Sequence, residues 1–245
     1  MPRFVSPLGQ ENHRVRVARD RRERTRAQLL NAVLSVYAGD DVSGPAVIDD
    51  VIRAAGVSRG TFYRYFDSVE EAVAELGGKL ADELAEAYDS ALDGLPDPLD
   101  RMASAIQICL LRAEAEPRWG MFVAHISHRR GGDSPALQGM AINLAEGVAS
   151  GAFRFDSVDA AVHLTAGAII EGIRHLICAG NANGYVEQLA VMILRGLGAP
   201  ESDVRRAVAA ASRRLREKGE QLVAWSPLLF TALPAQNSSD YRQTS

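Results

Sequence analysis

The chain lacks most of what would mark a disulfide scaffold, a membrane protein or a metalloenzyme. Its only two cysteines, Cys109 and Cys178, each sit in an apolar stretch. That excludes a disulfide framework and fits a reducing, cytoplasmic setting. Uncharged apolar runs are short: the best, Ala160 to Ile170, is closed by Glu171 and Arg174, well below the ~20 residues of a membrane helix. Met1 to Gln10 hold no apolar signal-peptide core, so a soluble chain with no membrane partner is expected. No internal repeat, Ser/His/Asp motif or cysteine cluster occurs. Gly167 to Gly172 is followed by Ile173 and Arg174 rather than the Lys-Ser/Thr of a phosphate loop. The expectation is therefore a protein that is not an enzyme and carries no cofactor.

What is present is ordinary globular material. Of 245 residues, 47% are hydrophobic and 24% charged, enough for one large domain or two small ones with a real core. The net charge of -4 hides an asymmetry. Residues 1–66 hold 11 Lys/Arg and 7 Asp/Glu, net +4, leaving 16 and 24, net -8, for residues 67–245. A basic front on an acidic body points to a nucleic-acid contact confined to the N-terminal quarter.

Helical periodicity dominates, with no convincing alternation of apolar residues. Leu30, Val33, Leu34 and Tyr37 mark one face of a first helix, and Ile48, Val51, Ile52 and Ala55 repeat the spacing. Pro45 suits the first turn of that second helix, and Gly56 ends it. Ser58 caps a short third helix with Phe62 and Phe66 facing one way. Ser68 and Glu71 make a capping box for a long helix striped by Val73, Leu76, Leu80, Leu84 and Tyr88. Further helices are expected near 98–115, 118–129, 135–150, 157–179 and 184–197, then a polar one near 201–219. The fold class is all-α: a three-helix N-terminal helix-turn-helix domain joined by a long helix to a larger C-terminal bundle. The expected divisions are a basic arm over 1–19, the helix-turn-helix over 20–67, a ligand-binding and dimerisation domain over 68–220, and a tail over 221–245.

Two short helices joined at Ala55–Gly56–Val57–Ser58 outline a helix-turn-helix. With Phe62 and Phe66 inward, Arg59, Gly60, Thr61, Tyr63, Arg64 and Tyr65 are free to project. Arg and Thr reach base edges, Tyr hydroxyls bind phosphate, and Gly60 permits close approach. From the wheel alone, a groove-entering helix and a small solvent-facing one with surface tyrosines are equal readings.

The string itself, VIDDVIRAAGVSRGTFYRYFDSVEEAV over residues 47–73, resembles the DNA-binding segment of the TetR family of bacterial transcriptional regulators. The resemblance is specific over about residues 20–75. It implies a homodimer on a double-stranded DNA operator, and a C-terminal domain whose small-molecule effector releases the DNA. It places Arg59, Gly60, Thr61 and Tyr63 at base-contacting positions, Arg64 and Tyr65 at the phosphate edge, and Ser58 at the helix start. Three residues depart from the family's pattern: Val47 for a phosphate-binding Thr, Ile52 for a small Ala, and Val69 for a Lys. A ligand-released repressor is the leading reading. An activator or architectural factor without an effector pocket, a helical enzyme, and a partner-binding module that has lost DNA binding are the alternatives.

Arg14, Arg16, Arg19, Arg21, Arg22, Arg24 and Arg26 precede that segment, against Asp20 and Glu23. Such a run before the first helix either tracks phosphates or is a solvated leader. In the body, small residues from Ala160 to Gly172 and a face of Val186, Leu189, Ala190, Ile193 and Leu197 make a close-packed helix hairpin. The resemblance implies that this hairpin pairs with its copy. Polar groups in apolar stretches are the ligand candidates: Cys109, His125 and His128 near Trp119 and Phe122, His163, and Glu171 with His175. Trp119 and Phe122 are more often core, and a Glu/His pair four apart is more often structural. His125-x-x-His128 lacks the third ligand of a hydrolytic zinc site, so no metal is expected.

Overall fold

The structure is a computed structural model that describes residues 8–39, 48–127, 135–179 and 184–218, with side chains from Val15 onward. All its regular elements are helices: α1 (Leu8–Tyr37), α2 (Ile48–Ala55), α3 (Arg59–Tyr63), α4 (Val69–Leu92), α5 (Pro98–Ala115), α6 (Pro117–Ile126), α7 (Pro135–Ser150), α8 (Val158–Ala179), α9 (Tyr185–Gly196) and α10 (Glu201–Lys218). Pro45, Val47, His128 and the 221–245 tail lie outside the described residues.

The N-terminal unit forms because three amphipathic stripes converge on two aromatic rings. Leu30, Val33, Leu34 and Tyr37 of α1, Val51 and Ala55 of α2, and Phe62 and Phe66 around α3 are all buried. Phe62 and Phe66 lie 5.8 Å apart between ring centroids. Ile52 and Ile48 pack half-buried against this core, so the bulk of Ile52 is absorbed at the helix-turn-helix surface. Val69 is buried as the first residue of α4, which explains why an apolar side chain replaces a cation there.

One expectation needs correcting. The arginine run does not precede the first helix; it is part of it, since α1 is continuous from Leu8. Residues 8–24 carry no apolar stripe, yet they are rich in Arg, which favours helix without packing. From Val15 to Arg24 the described side chains face solvent, Val15 and Val17 among them.

The body is built around α5, which touches α4, α6, α7, α8, α9 and α10. Asp97 caps α5 by accepting from Leu99 N–H at 2.9 Å. By length and mean hydropathy α8 could cross a membrane, which the sequence reading did not anticipate. Its buried Val162, Thr165, Ile169, Gly172, Ile173 and Leu176 pack against α5, α6, α7 and α9, one face of the helix only. The polar α10 docks on α5 through Val204, Ala207, Val208 and Ala211. Below this stripe Gln107 donates to the Val208 carbonyl at 3.1 Å and accepts from Ser212 at 2.7 Å. Among the described residues both cysteines are free thiols, Cys109 buried and Cys178 exposed; the exposure corrects the apolar setting expected for Cys178.

α7 ends where Gly151 takes a left-handed φ of 80°. The turn folds the chain back so that Phe153, 1% exposed, lies on Gly147. The Phe153 N–H donates to the Gly147 carbonyl at 3.0 Å.

Candidate nucleic-acid interface

The turn before α3 is set by Gly56, whose φ of 64° continues no helix. Val57 N–H donates to the Ile52 carbonyl at 3.1 Å and Gly56 N–H to that of Arg53 at 3.2 Å. This Schellman stop satisfies the last carbonyls of α2. Ser58 then caps α3, its Oγ accepting from Thr61 N–H at 3.1 Å. Ser68 caps α4 in the same way, from Glu71 N–H at 3.1 Å. The reciprocal bond runs from Asp67 N–H to Glu71 Oε2 at 2.5 Å, one residue earlier than a strict capping box.

The capped α3 presents a definite face. Ser58, Arg59, Gly60, Tyr63 and Arg64 are exposed, Thr61 and Tyr65 are half-buried, and Phe62 and Phe66 hold the helix from below. Nothing lies within 4 Å of where a Gly60 side chain would start, so the fold itself does not require glycine there. Thr61 Oγ1 is bonded to Ser58 Oγ at 2.9 Å and receives Arg64 Nη2 at 3.4 Å. Arg59 Nη2 donates to Asp49 Oδ1 at 2.5 Å, and this bond raises the guanidinium above its ordinary value.

Beside α3 the structure brings in part of the arginine run. A groove of about 950 Å³ is lined by Val17, Ala18, Arg21, Arg22 and Thr25 of α1 with Thr61, Arg64 and Tyr65. Arg21, Arg22 and Arg64 are all exposed. Arg16 and Arg19 lie on the same helix outside this lining, Arg19 beside Glu23 at 3.7 Å. The Arg14 side chain is outside the described ones.

Arg26, part of the same run, does something else. Its Nε donates to Glu75 Oε1 at 2.8 Å and its Nη1 to the Tyr65 carbonyl at 3.1 Å. Its guanidinium sits 4.5 Å over the Phe66 ring. One side chain thus fastens α1, the end of the recognition segment and α4. The hydrogen bond from Arg26 holds Glu75 below the usual carboxylate value.

The ligand candidates do not converge on one place. Trp119 and Phe122 are buried core; Phe122 meets Tyr37 edge-on at 5.9 Å and so packs α6 on α1. His125 is half-buried, its Nδ1 2.8 Å from the Met121 carbonyl. Glu171 and His175 are exposed on α8: Glu171 pairs with Arg174 at 3.3 Å, and His175 stacks on Tyr185 at 4.2 Å. His163 is exposed as well.

Cys109 belongs to a buried polar cluster that sequence reading missed. Arg112, only 3% exposed, lies 5.1 Å over Trp119 and pairs with Glu83 of α4 at 3.3 Å. Burial lowers the Arg112 guanidinium and raises the Glu83 carboxyl from their ordinary values. Burial likewise pushes the Cys109 thiol up to about 11. Tyr88 of α4 faces the same cluster, its hydroxyl donating to the Ala105 carbonyl at 3.4 Å. A Glu-to-Arg spacing of 29 residues leaves no local signal of such a pair. Among the described residues no three His, Cys, Asp or Glu side chains gather as a metal site.

Residues 45–76 match the family model described as bacterial regulatory proteins, tetR family. A comparison with curated proteins finds no match. Several solved structures share the fold. RolR in complex with resorcinol is 24% identical, covering 78% of this chain and 95% of its own, with a TM-score of 0.55. A gamma-butyrolactone receptor (ArpA-like protein) is 18% identical, with 81% and 100% covered and a TM-score of 0.57. The transcriptional regulator FadR from Bacillus subtilis, in complex with stearoyl-CoA, is 18% identical, with 69% and 96% covered and a TM-score of 0.56.

Proposed function

We propose, from the match of residues 45–76 to the tetR-family model and the fold shared with known regulators, that the protein is a homodimeric, cytoplasmic transcriptional repressor released from its operator by a small molecule. The observation that carries this reading is the free face of α3. Arg59, Gly60, Tyr63 and Arg64 are exposed on a helix fixed from beneath by two buried phenylalanines. Arg59, Thr61 and Tyr63 suit base edges, while Arg64 and Tyr65 suit flanking phosphates and Ser58 starts the helix.

The α1 extension adds a backbone grip. Arg21 and Arg22 line the groove beside α3, and Arg14, Arg16 and Arg19 continue the charge along the helix. Dimerisation is supported by exposed apolar side chains on adjoining helices. Leu164 of α8 is 54% exposed and Met192 of α9 70%, and the Leu164 side chain abuts Gly196. A two-fold pair would set two recognition helices on half-sites about one or more duplex turns apart.

Effector response is supported by the ligands of RolR and FadR. In this chain the buried Cys109, Arg112 and Trp119, with the half-buried Glu83 and Tyr88, form a cluster that spans α4, α5 and α6. A ligand there would bear directly on the helix that leads to the DNA-binding unit. It must bind one arrangement of α4 better than the other, since an indifferent ligand shifts nothing. A difference of ~3 kcal/mol would change operator affinity more than a hundredfold. Bound near a promoter, such a dimer blocks transcription with no chemistry of its own, so no enzymatic role is proposed.

Selection of bound duplexes from a random DNA pool tests the reading. Enrichment of a two-fold symmetric site is the expected result; failure to enrich any sequence at low salt would refute it.

A further inference from the structure

An acidic side chain of α2 is bonded to the exposed face of α3. Asp49 lies in the first turn of α2, and its Oδ1 accepts from Arg59 Nη2 of α3 at 2.5 Å. Its neighbour Asp50 behaves differently, pairing within α2 with Arg53 at 2.9 Å. Of the two carboxylates, Asp49 is the one that reaches across the turn to the helix proposed to enter the groove.

Stability does not explain that contact. Both partners are 54% exposed, and exposed pairs contribute little to folding. A carboxylate at a DNA-facing surface also repels phosphate, so Asp49 should lower affinity unless it does something specific. Orientation is what remains. An arginine side chain has several free torsions, and a bond from Nη2 to a fixed acceptor restrains the guanidinium plane. The other N–H donors stay free to meet a pair of acceptors. In the major groove that pair is guanine O6 and N7, the commonest partner of arginine. The next residue, Gly60, has open space where a side chain would be, so position 60 adds no bulk to the face that carries Arg59.

We propose that Asp49 is a positioning residue that holds Arg59 for bidentate contact with guanine, so that the Asp49–Arg59 pair fixes one G·C base pair in each half-site. The inference rests on α3 reading DNA as proposed above. Without Asp49, Arg59 would still attract phosphate but would lose its preference at that pair.

The test uses the full chain, the duplex enriched from the random pool, and a panel of its single-base-pair variants, read by fluorescence anisotropy. Wild type should discriminate at one G·C pair by about five- to hundredfold, the range of a good bidentate contact. Arg59→Ala should abolish that discrimination and weaken binding. Asp49→Ala should lose most of it at the same pair, keep it elsewhere, and bind unrelated DNA as well as wild type or better. Asp49→Asn, which keeps the acceptor oxygen, should restore part of it. Matching unfolding midpoints would separate these effects from misfolding. If Asp49→Ala tightens binding equally on every duplex with discrimination intact, the carboxylate only sequesters Arg59 and the inference falls. It falls too if Arg59→Ala leaves every base preference unchanged. Should wild type enrich no sequence at all, the DNA-binding reading fails first, an outcome distinct from either.

Discussion

Gly147 offers a quantitative check on the corner where α7 turns back toward α8. A side chain there would start 3.1 Å from the Phe153 Cγ and closer still to Cδ2 and Cε2. The ring has little room to yield. It is 1% exposed, stacks on Phe155 at 6.4 Å, and hangs from a backbone N–H bonded to the Gly147 carbonyl at 3.0 Å. Gly147→Ala should therefore expel the ring. Losing a buried phenylalanine costs about 3–5 kcal/mol, and the better helix propensity of alanine returns about 0.5–1. A net loss of roughly 2–4 kcal/mol lowers the melting temperature by roughly 5–15 °C in a domain this size. In a Phe153→Ala background the ring is absent, and the same Gly147→Ala change should stabilise by about 0.5–1 kcal/mol. Thermal or urea unfolding of the four proteins in this double-mutant cycle measures the coupling. Equal effects of Gly147→Ala in both backgrounds would refute the packing argument.

The remaining predictions concern the DNA face, the dimer and the joint between them. Gly60→Ala should leave stability unchanged or raise it by about 0.5–1 kcal/mol, because its site is open, while weakening operator binding. Retained binding would show that no DNA backbone approaches that point. Arg21→Ala with Arg22→Ala should weaken binding to all sequences and flatten the log–log salt dependence by about 0.9 for each phosphate no longer neutralised; an unchanged slope would remove α1 from the interface. Leu164→Glu with Met192→Glu should yield monomers by analytical ultracentrifugation, since both side chains are exposed. Glu75 is held below 4.5 by Arg26, so its stabilising bond is complete above that value and lost as pH falls through the lower folded value. Wild type should accordingly lose more stability than Glu75→Gln as pH falls below the ordinary carboxylate value; parallel losses would show that Glu75 contributes nothing there.

The helix-turn-helix was legible because its instructions are local. Gly56 stops a helix, Ser58 and Ser68 start two more, and the stripes that surround them bury as the spacing demands. The N-terminal extension was not, because a helix with charge on all sides shows no stripe to distinguish it from a solvated leader. The body was legible as helices but not as a site. Polarity within an apolar run does not tell which way a side chain points: Cys109 turns inward and Glu171 and His175 outward. Arg112 in LLRAEAE looks like a surface charge, and only the packing of α4, α5 and α6 reveals that Glu83 and Trp119 enclose it.

α1 runs unbroken over 30 residues, a rod about 45 Å long at 1.5 Å per residue. Its middle, from Val17 to Thr25, flanks α3, and its C-terminal turns abut α6, where Arg118 Nη2 donates to Ser35 Oγ and Phe122 meets Tyr37. Pressure of α6 on those turns is therefore borne by the same helix whose Leu30, Val33 and Leu34 are buried in the core with Phe62 and Phe66 and whose Arg21 and Arg22 line the groove. Loosening of the grip on the sugar–phosphate chain and withdrawal from the bases would then be a single event.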